Sequence, residues 1–156
     1  MNKLLLIFLL FGSLFLNNCT KNEKIEIVKI QEDKIEDQMI KAYQEGIIAF
    51  ENQLYLDAAK KFNEAEILFP QSEWAPRSAL MAAYAYYYDD YNNRAISELI
   101  NFFKKYPNHP NTLYANYLLA MSYYNKIVDE KKDLEPLKKS KKQFEYIVEN
   151  YPNTEF

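Results

Sequence analysis

Two glycines, one histidine and one cysteine are all that this 156-residue chain contains of those three residue types, and each scarcity removes a class of fold or function. Neither Gly12 nor Gly46 follows Asn, Asp or Gly, so the tight two-residue turns that join antiparallel strands have no sequence to form them. Two isolated glycines also build no glycine-rich loop around a phosphate. The lone histidine, His109, stands between Asn108 and Pro110. A single imidazole assembles neither a histidine-based nucleophile relay nor a multi-histidine metal site, and these neighbours assign it to a turn. Carboxylates are no better placed for acid–base work: Glu64 and Glu66 are two apart and point to different faces of a helix. Positive charge is not in excess, since 19 Lys and Arg against 22 Asp and Glu leave a net charge of −3. That balance offers nucleic acid no basic surface from which to displace counterions. The expectation is a protein that is not an enzyme, with no catalytic residues, no metal site, no cofactor and no nucleic-acid partner.

Apolar runs are short as well. Residues 4–16 form thirteen positions of nearly unbroken apolar character behind Lys3, whereas a spanning helix needs roughly 20. A secretory signal peptide has an apolar core of about 7–15 residues, so residues 1–18 are predicted to be a signal peptide. Cys19 follows at once, with Leu16 three residues before it and Asn17 and Asn18 between. This arrangement resembles a bacterial lipobox, in which the thiol becomes a diacylglycerol thioether and the amino group freed by cleavage is acylated. Asn18 replaces the smaller residue usual before the cysteine. A lone cysteine has no partner for an internal disulfide; the alternative to lipid attachment is an ordinary secreted protein with a spare thiol. Each buried methylene of an acyl chain contributes about 0.8 kcal/mol, so several chains on Cys19 would hold the protein durably on a membrane. Thr20 and Lys21 stand where the Asp of an inner-membrane retention signal would, which implies the outer membrane. Residues 19–37 alternate charges with isolated Ile and Val and lack turn chemistry, and read as a lipidated tether, partly helical near its end.

What the chain does have is a repeat. Three similar phrases, Leu68-Phe69-Pro70, Lys105-Tyr106-Pro107 and Asn150-Tyr151-Pro152, each close a helix-like segment. Setting Pro70 over Pro107 also sets Ala83 over Ala120, Tyr86 over Tyr123 and Tyr87 over Tyr124. The prolines are 37 and then 45 residues apart, in the range of stacked helix pairs, and the longer interval implies about eight inserted residues, an exposed loop over 125–132. On a tetratricopeptide frame the first repeat places Gly46, Ala58, Phe62 and Ala65, the second Ala83, Tyr86, Ala95 and Leu99, and the third Ala120, Tyr123 and Phe144, with Ser140 where Ala is usual. Small residues let helix axes approach closely while aromatics fill the gap to the next pair. Ser72 is placed to cap the helix carrying Trp74 and Pro76, Pro110 opens the next pair, and Asp133 with Pro136 restarts a helix after the insertion. The fold class is therefore all-α: a tetratricopeptide-repeat solenoid of about three helix pairs over 38–156, with repeats at about 38–72, 73–109 and 110–154. Lys138, Lys139, Lys141 and Lys142, with Lys131 and Lys132, make a basic stretch that is either a solvated helix face or a surface for an acidic partner or anionic headgroup.

The phrases Ser72-Glu73-Trp74-Ala75-Pro76, Ala82-Ala83-Tyr84-Ala85-Tyr86-Tyr87, Tyr106-Pro107-Asn108-His109-Pro110-Asn111 and Tyr114-Ala115-Asn116-Tyr117 together resemble the BamD family of outer-membrane assembly lipoproteins, over roughly residues 38–156. The resemblance implies a periplasm-facing, lipid-anchored scaffold of the barrel assembly machinery, with the barrel-forming subunit and unfolded outer-membrane proteins as partners. Similar proteins usually continue through five repeats, and the later ones dock the partner subunit, so the resemblance assigns that contact to no residue here. Lys132, in the loop phrase Asp129-Glu130-Lys131-Lys132-Asp133, stands where similar sequences often carry Arg. An adaptor lipoprotein of another envelope or pilus secretion complex is the alternative.

Independently of that resemblance, the first helix of each pair turns one face along the concave surface, and helical spacing selects it. Tyr43, Ile47 and Phe50 come from the first repeat, Arg77, Leu80, Tyr84, Tyr87 and Tyr88 from the second, and Tyr114, Tyr117, Met121 and Tyr124 from the third. These form a candidate peptide-binding groove, because tyrosine offers a flat apolar body, a polar tip and few rotors to freeze. Tyr86 and Tyr123 are expected to pack between helices. For Tyr84, Tyr87, Tyr117 and Tyr124, lining and packing both remain open. An extended peptide ending in an aromatic residue is the ligand that the family resemblance implies.

Overall fold

The computed structural model describes residues 23–127 and 133–154. They form six helices: α1 (Glu23–Glu51), α2 (Tyr55–Leu68), α3 (Trp74–Tyr88), α4 (Asn92–Lys105), α5 (Thr112–Tyr124) and α6 (Glu135–Asn150). No strand occurs among the described residues. The chain divides into two compact units, Met1–Lys34 and Ile35–Phe156, and α1 from Ile35 onward and helices α2–α6 belong to the second. The expected signal peptide and Cys19 lie outside the described residues, as do loop residues 128–132, which include Lys131 and Lys132. Helix α1 runs from Glu23, so helix covers more of the expected tether than the part near its end. Residues 23–37 contain no Gly or Pro and are filled with Glu, Lys and Ile, so nothing in them opposes a helix.

The second helices of the three pairs end alike. Helices α2, α4 and α6 stop at Leu68, Lys105 and Asn150, and the next residue leaves the helical region each time. Phe69 has φ −141° and ψ 72°, Tyr106 −129° and 55°, and Tyr151 −136° and 57°. The proline that follows crowds the preceding residue out of the α region, so one steric rule repeated three times sets three boundaries.

The first helices of the first two pairs, α1 and α3, end by another device, also repeated. Gln53 and Asp90 have φ of 62° and 56° and are 37 residues apart, the interval that separates Pro70 from Pro107. Gln53 N–H donates to Phe50 O at 2.9 Å and Leu54 N–H to Ala49 O at 2.9 Å; Asp90 N–H donates to Tyr87 O at 3.2 Å and Tyr91 N–H to Tyr86 O at 3.0 Å. This is the Schellman pairing, in which one left-handed residue lets two terminal carbonyls be satisfied. Helix starts are capped as the sequence predicts: Ala75 N–H donates to Ser72 Oγ at 3.2 Å, and Glu135 N–H to Asp133 Oδ1 at 2.9 Å, with Pro136 in the first turn of α6.

Small residues stand where the two helices of a pair meet. A methyl group on Gly46 would lie 2.7 Å from the fully buried ring of Phe62. The equivalents Ala83 and Ala120 are also fully buried, and Ser140, in the place usual for Ala, donates from Oγ to Ala120 O at 3.0 Å. Between pairs, Ala82 and Ala85 of α3 close on Ala58, Ala59 and Phe62 of α2. Likewise Ala115, Leu118 and Leu119 of α5 join Leu99 and Phe102 of α4 and Ala83 of α3. Tyr86 and Tyr123 pack against these clusters. An ion pair between buried Glu66 and exposed Lys105 ties the first repeat to the second: Glu66 accepts from Lys105 Nζ at 2.8 Å and from the Tyr106 hydroxyl at 2.9 Å. Its near neighbour Glu64 is exposed and pairs with Lys61, so the two carboxylates do point apart.

Candidate functional site

Helix α3 supplies the centre of the site because Arg77, Met81, Tyr84 and Tyr88 follow one another at spacings of three and four, on one helix face. Tyr43 of α1 and Asn111 and Tyr114 around the start of α5 complete a hollow of about 380 Å³, lined by Tyr43, Arg77, Leu80, Met81, Tyr84, Asn111 and Tyr114. Tyr43 is also a wall of a second hollow, of about 410 Å³, which it shares with Ile40, Gln44, Ile47, Ile48 and Trp74. Its ring stands edge-on to both Trp74 at 5.2 Å and Phe62 at 5.3 Å, which anchors the partition between the hollows to the core. The Arg77 guanidinium lies over the Trp74 ring, 5.3 Å from its centre.

An aromatic cluster continues from the first hollow toward the turn between α1 and α2. Tyr84 stacks on Phe50 at 5.4 Å and meets Tyr88 at 4.9 Å and Tyr114 at 6.2 Å; Phe50 in turn meets Tyr55 at 5.1 Å. Burial, followed by hydrogen bonding to Tyr88, raises the Tyr84 hydroxyl above the ordinary phenol range. Burial raises Tyr114 too, and raises Tyr43 against the opposing charge of Arg77. These phenols are neutral at pH 7, so Arg77 is the charged side chain of the first hollow. The arrangement can hold a large apolar or aromatic group against flat rings while offering hydroxyls and one cation to polar atoms.

Tyr43, Arg77, Tyr84 and Tyr114 of the candidate groove thus meet in one hollow, and Ile47 lies in the other. Tyr88 stands beside them, 49% exposed. Tyr87 packs against the core cluster between α3, α4 and α5. Tyr117 is half-buried, 6.4 Å from Phe144 of α6. Met121 is half-buried and Tyr124 is exposed at the end of α5; these three line neither hollow. Met81 escaped the sequence reading although it lies four residues after Arg77 and three before Tyr84, a spacing that could have found it. The same spacing could have found Trp74, three before Arg77, and Ile40 and Gln44, three before Tyr43 and Ile47, whereas Asn111, in the turn before α5, carries no helical signal. On the opposite flank Lys138 pairs with Glu135, Lys141 pairs with Glu145, and Lys139 lies over the Tyr123 ring, the pattern of a solvated helix face. Among the described residues no group of three or more His, Cys, Asp or Glu could hold a metal, and no helix is long and apolar enough to cross a membrane.

Residues 35–156 match the family YfiO, described as an outer membrane lipoprotein. The chain belongs to the YfiO family. The match starts at the residue where the second compact unit starts and contains every groove position from Tyr43 to Tyr124. Similar proteins are the outer membrane protein assembly factors BamD of three bacteria. That of Caulobacter vibrioides is 37% identical over 100 residues, 64% of this chain and 33% of the relative. That of Rickettsia prowazekii is 33% identical over 114 residues, 73% of this chain and 45% of the relative. That of Neisseria meningitidis serogroup B is 30% identical over 126 residues, 74% of this chain and 47% of the relative. The chain therefore spans between a third and just under a half of the length of these relatives. The fold of this YfiO member is the all-α tetratricopeptide type that its repeat spacing predicts.

Proposed function

We propose that this protein is a non-catalytic scaffold in the assembly of outer-membrane β-barrel proteins, and that its tyrosine-lined hollow receives unfolded barrel segments. The reading rests on the meeting of Tyr43, Arg77, Tyr84 and Tyr114 around one hollow in a chain of the YfiO family whose relatives are assembly factors. An unfolded barrel strand alternates aromatic and polar side chains; rings of the first kind fit against Tyr84 and Tyr43, and a carboxylate or carbonyl of the segment fits Arg77. In this reading residues 1–18 are a signal peptide removed on export, and Cys19 carries the acyl chains. Residues 20–37 hold the domain on the periplasmic side of the outer membrane, and the barrel-forming subunit is its standing partner.

The test is photocrosslinking in cells from Tyr88, which is exposed beside the hollow, and from Tyr117, followed by mass spectrometry of the adducts. Barrel precursors captured from Tyr88 support the reading, while capture of only a wall or pilus component would replace it with the adaptor reading. Labelling with radioactive palmitate that is lost in Cys19→Ser tests the anchor separately; label retained by that variant would sink it.

A further inference from the structure

The turn between α4 and α5 couples the lone imidazole of the protein to the first hollow. His109 N–H donates to Tyr106 O at 3.2 Å, and His109 O accepts from Thr112 N–H at 3.0 Å and from the Thr112 hydroxyl. Its ring stands edge-on to the buried ring of Phe102, 5.6 Å away. Asn111 N–H donates to His109 Nδ1 at 3.2 Å. Asn111 is the residue that precedes α5, and it lines the hollow with Arg77 and Tyr114. Asn111, one wall of the hollow, is thus held through its carbonyl by Ala115 N–H at 2.9 Å and through its own amide by a ring nitrogen that can accept only while it is unprotonated.

We propose that His109 is a pH-sensitive latch on the tyrosine-lined hollow, closed when Nδ1 accepts from Asn111 and opened when a proton on Nδ1 displaces that amide. Three features favour the closed, neutral form. The hydrogen bond from the Asn111 amide is lost on protonation, an imidazolium would sit at the positive end of α5, and it would carry the same charge as Arg77 of α3. The remaining charged and titratable groups around the turn do not offset this. Helix α4 ends in Lys104 and Lys105; Lys105 and Tyr106 are held by Glu66; the first turn of α5 has no acidic residue; and Tyr43 and Tyr114 in the hollow are neutral phenols. Burial, then Arg77, hold the imidazole below its usual value. Since the unfolded chain then binds the proton more readily than the folded one, the stabilisation is fully present above about pH 6.5 and is lost as pH falls through the lower folded value.

The latch is tested by NMR of the full chain in detergent micelles, following the His109 ring and the Asn111 and Tyr114 amides between about pH 5 and 8. The expected result is that the Asn111 amide moves with the midpoint of the ring, below the usual histidine value, that Tyr114 follows, and that this movement vanishes in His109→Gln. An Asn111 amide that stays still while the ring titrates overturns the proposal without recourse to any variant, and so does a movement that persists in His109→Gln. As regulation of the hollow, the latch rests on the proposed function. A peptide with the sequence of an unfolded barrel strand should bind the parent more weakly at the acid end of the range, and His109→Gln equally at both ends. A peptide that binds at neither end overturns the ligand reading alone, leaving the latch to be decided by the co-titration.

Discussion

At the scale of single residues, Gly46 and Glu98 show how tightly neighbours set what a position tolerates. Alanine is normally the better helix former by up to about 1 kcal/mol, yet a Cβ at Gly46 would lie 2.7 and 2.8 Å from ring carbons of Phe62. That ring is fully buried and held edge-on by Tyr43, so it has no free volume to enter. Gly46→Ala should lose about 1–3 kcal/mol by overpacking, read as a lower thermal midpoint, and Phe62→Leu in the same background should recover part of the loss. Glu98 is half-buried on α4, and burial, with the charge of Glu66 second, raises its carboxyl above the ordinary range. The folded state therefore holds this proton more tightly than the unfolded chain does. Its contribution to stability is present below about pH 4.5 and is lost as pH rises through the folded value. Glu98→Gln should melt higher than the parent at pH 7, with the gap closing in acid; an equal or lower melting point at pH 7 would count against this assignment.

At the scale of elements, boundaries follow from local sterics, and seams follow from residue size. The three proline phrases end α2, α4 and α6 through the same pre-proline restriction. The ends of α1 and α3 were not legible in the same way. The Schellman turns there use Gln53 and Asp90 at positive φ, whereas glycine is the usual marker of that conformation; only the 37-residue interval between the two positions links them in the sequence. Seams were legible wherever a small residue recurs, as at Gly46, Ala83 and Ala120. Ala83 is fully buried among Leu99 and its neighbours, so Ala83→Leu should cost about 1–3 kcal/mol. A thermal melt of that variant matching the parent would show that the register of the second pair is wrong. Ser140 is the informative exception: a hydroxyl replaces a methyl at a seam because the Ala120 carbonyl is within reach of it, a partner twenty residues away that no local pattern announces.

At the scale of the whole molecule, the first hollow is the feature on which the proposed activity depends. Tyr84→Ala combined with Tyr114→Ala removes two of its flat walls and should weaken the binding of an unfolded barrel peptide about tenfold or more, roughly 1.4 kcal/mol, measured by fluorescence anisotropy; unchanged affinity would place binding elsewhere. Which tyrosines face the hollow was open in the sequence for a physical reason. Helix α3 buries Ala75, Ser78, Ala79, Leu80, Ala82, Ala83 and Ala85, and α5 buries Ala115, Asn116, Leu118, Leu119, Ala120 and Ser122, so each is enclosed on most of its circumference and its periodicity names no single exposed face. Tyr84 and Tyr87 look alike in such a stripe, yet one lines the hollow and the other packs on the core. The chain by itself determined the helical class, the repeat interval, the proline stops and the small-residue seams, since these depend on backbone sterics and side-chain volume within a few residues of each position. Tertiary structure alone decided the assembly of the hollow from α1, α3 and the start of α5, and the pairing of Glu66 with Lys105 and Tyr106. The pairing joins groups 39 and 40 residues apart and the hollow joins groups up to 71 apart, from Tyr43 to Tyr114, and such distances are closed only when one helix pair stacks upon the next.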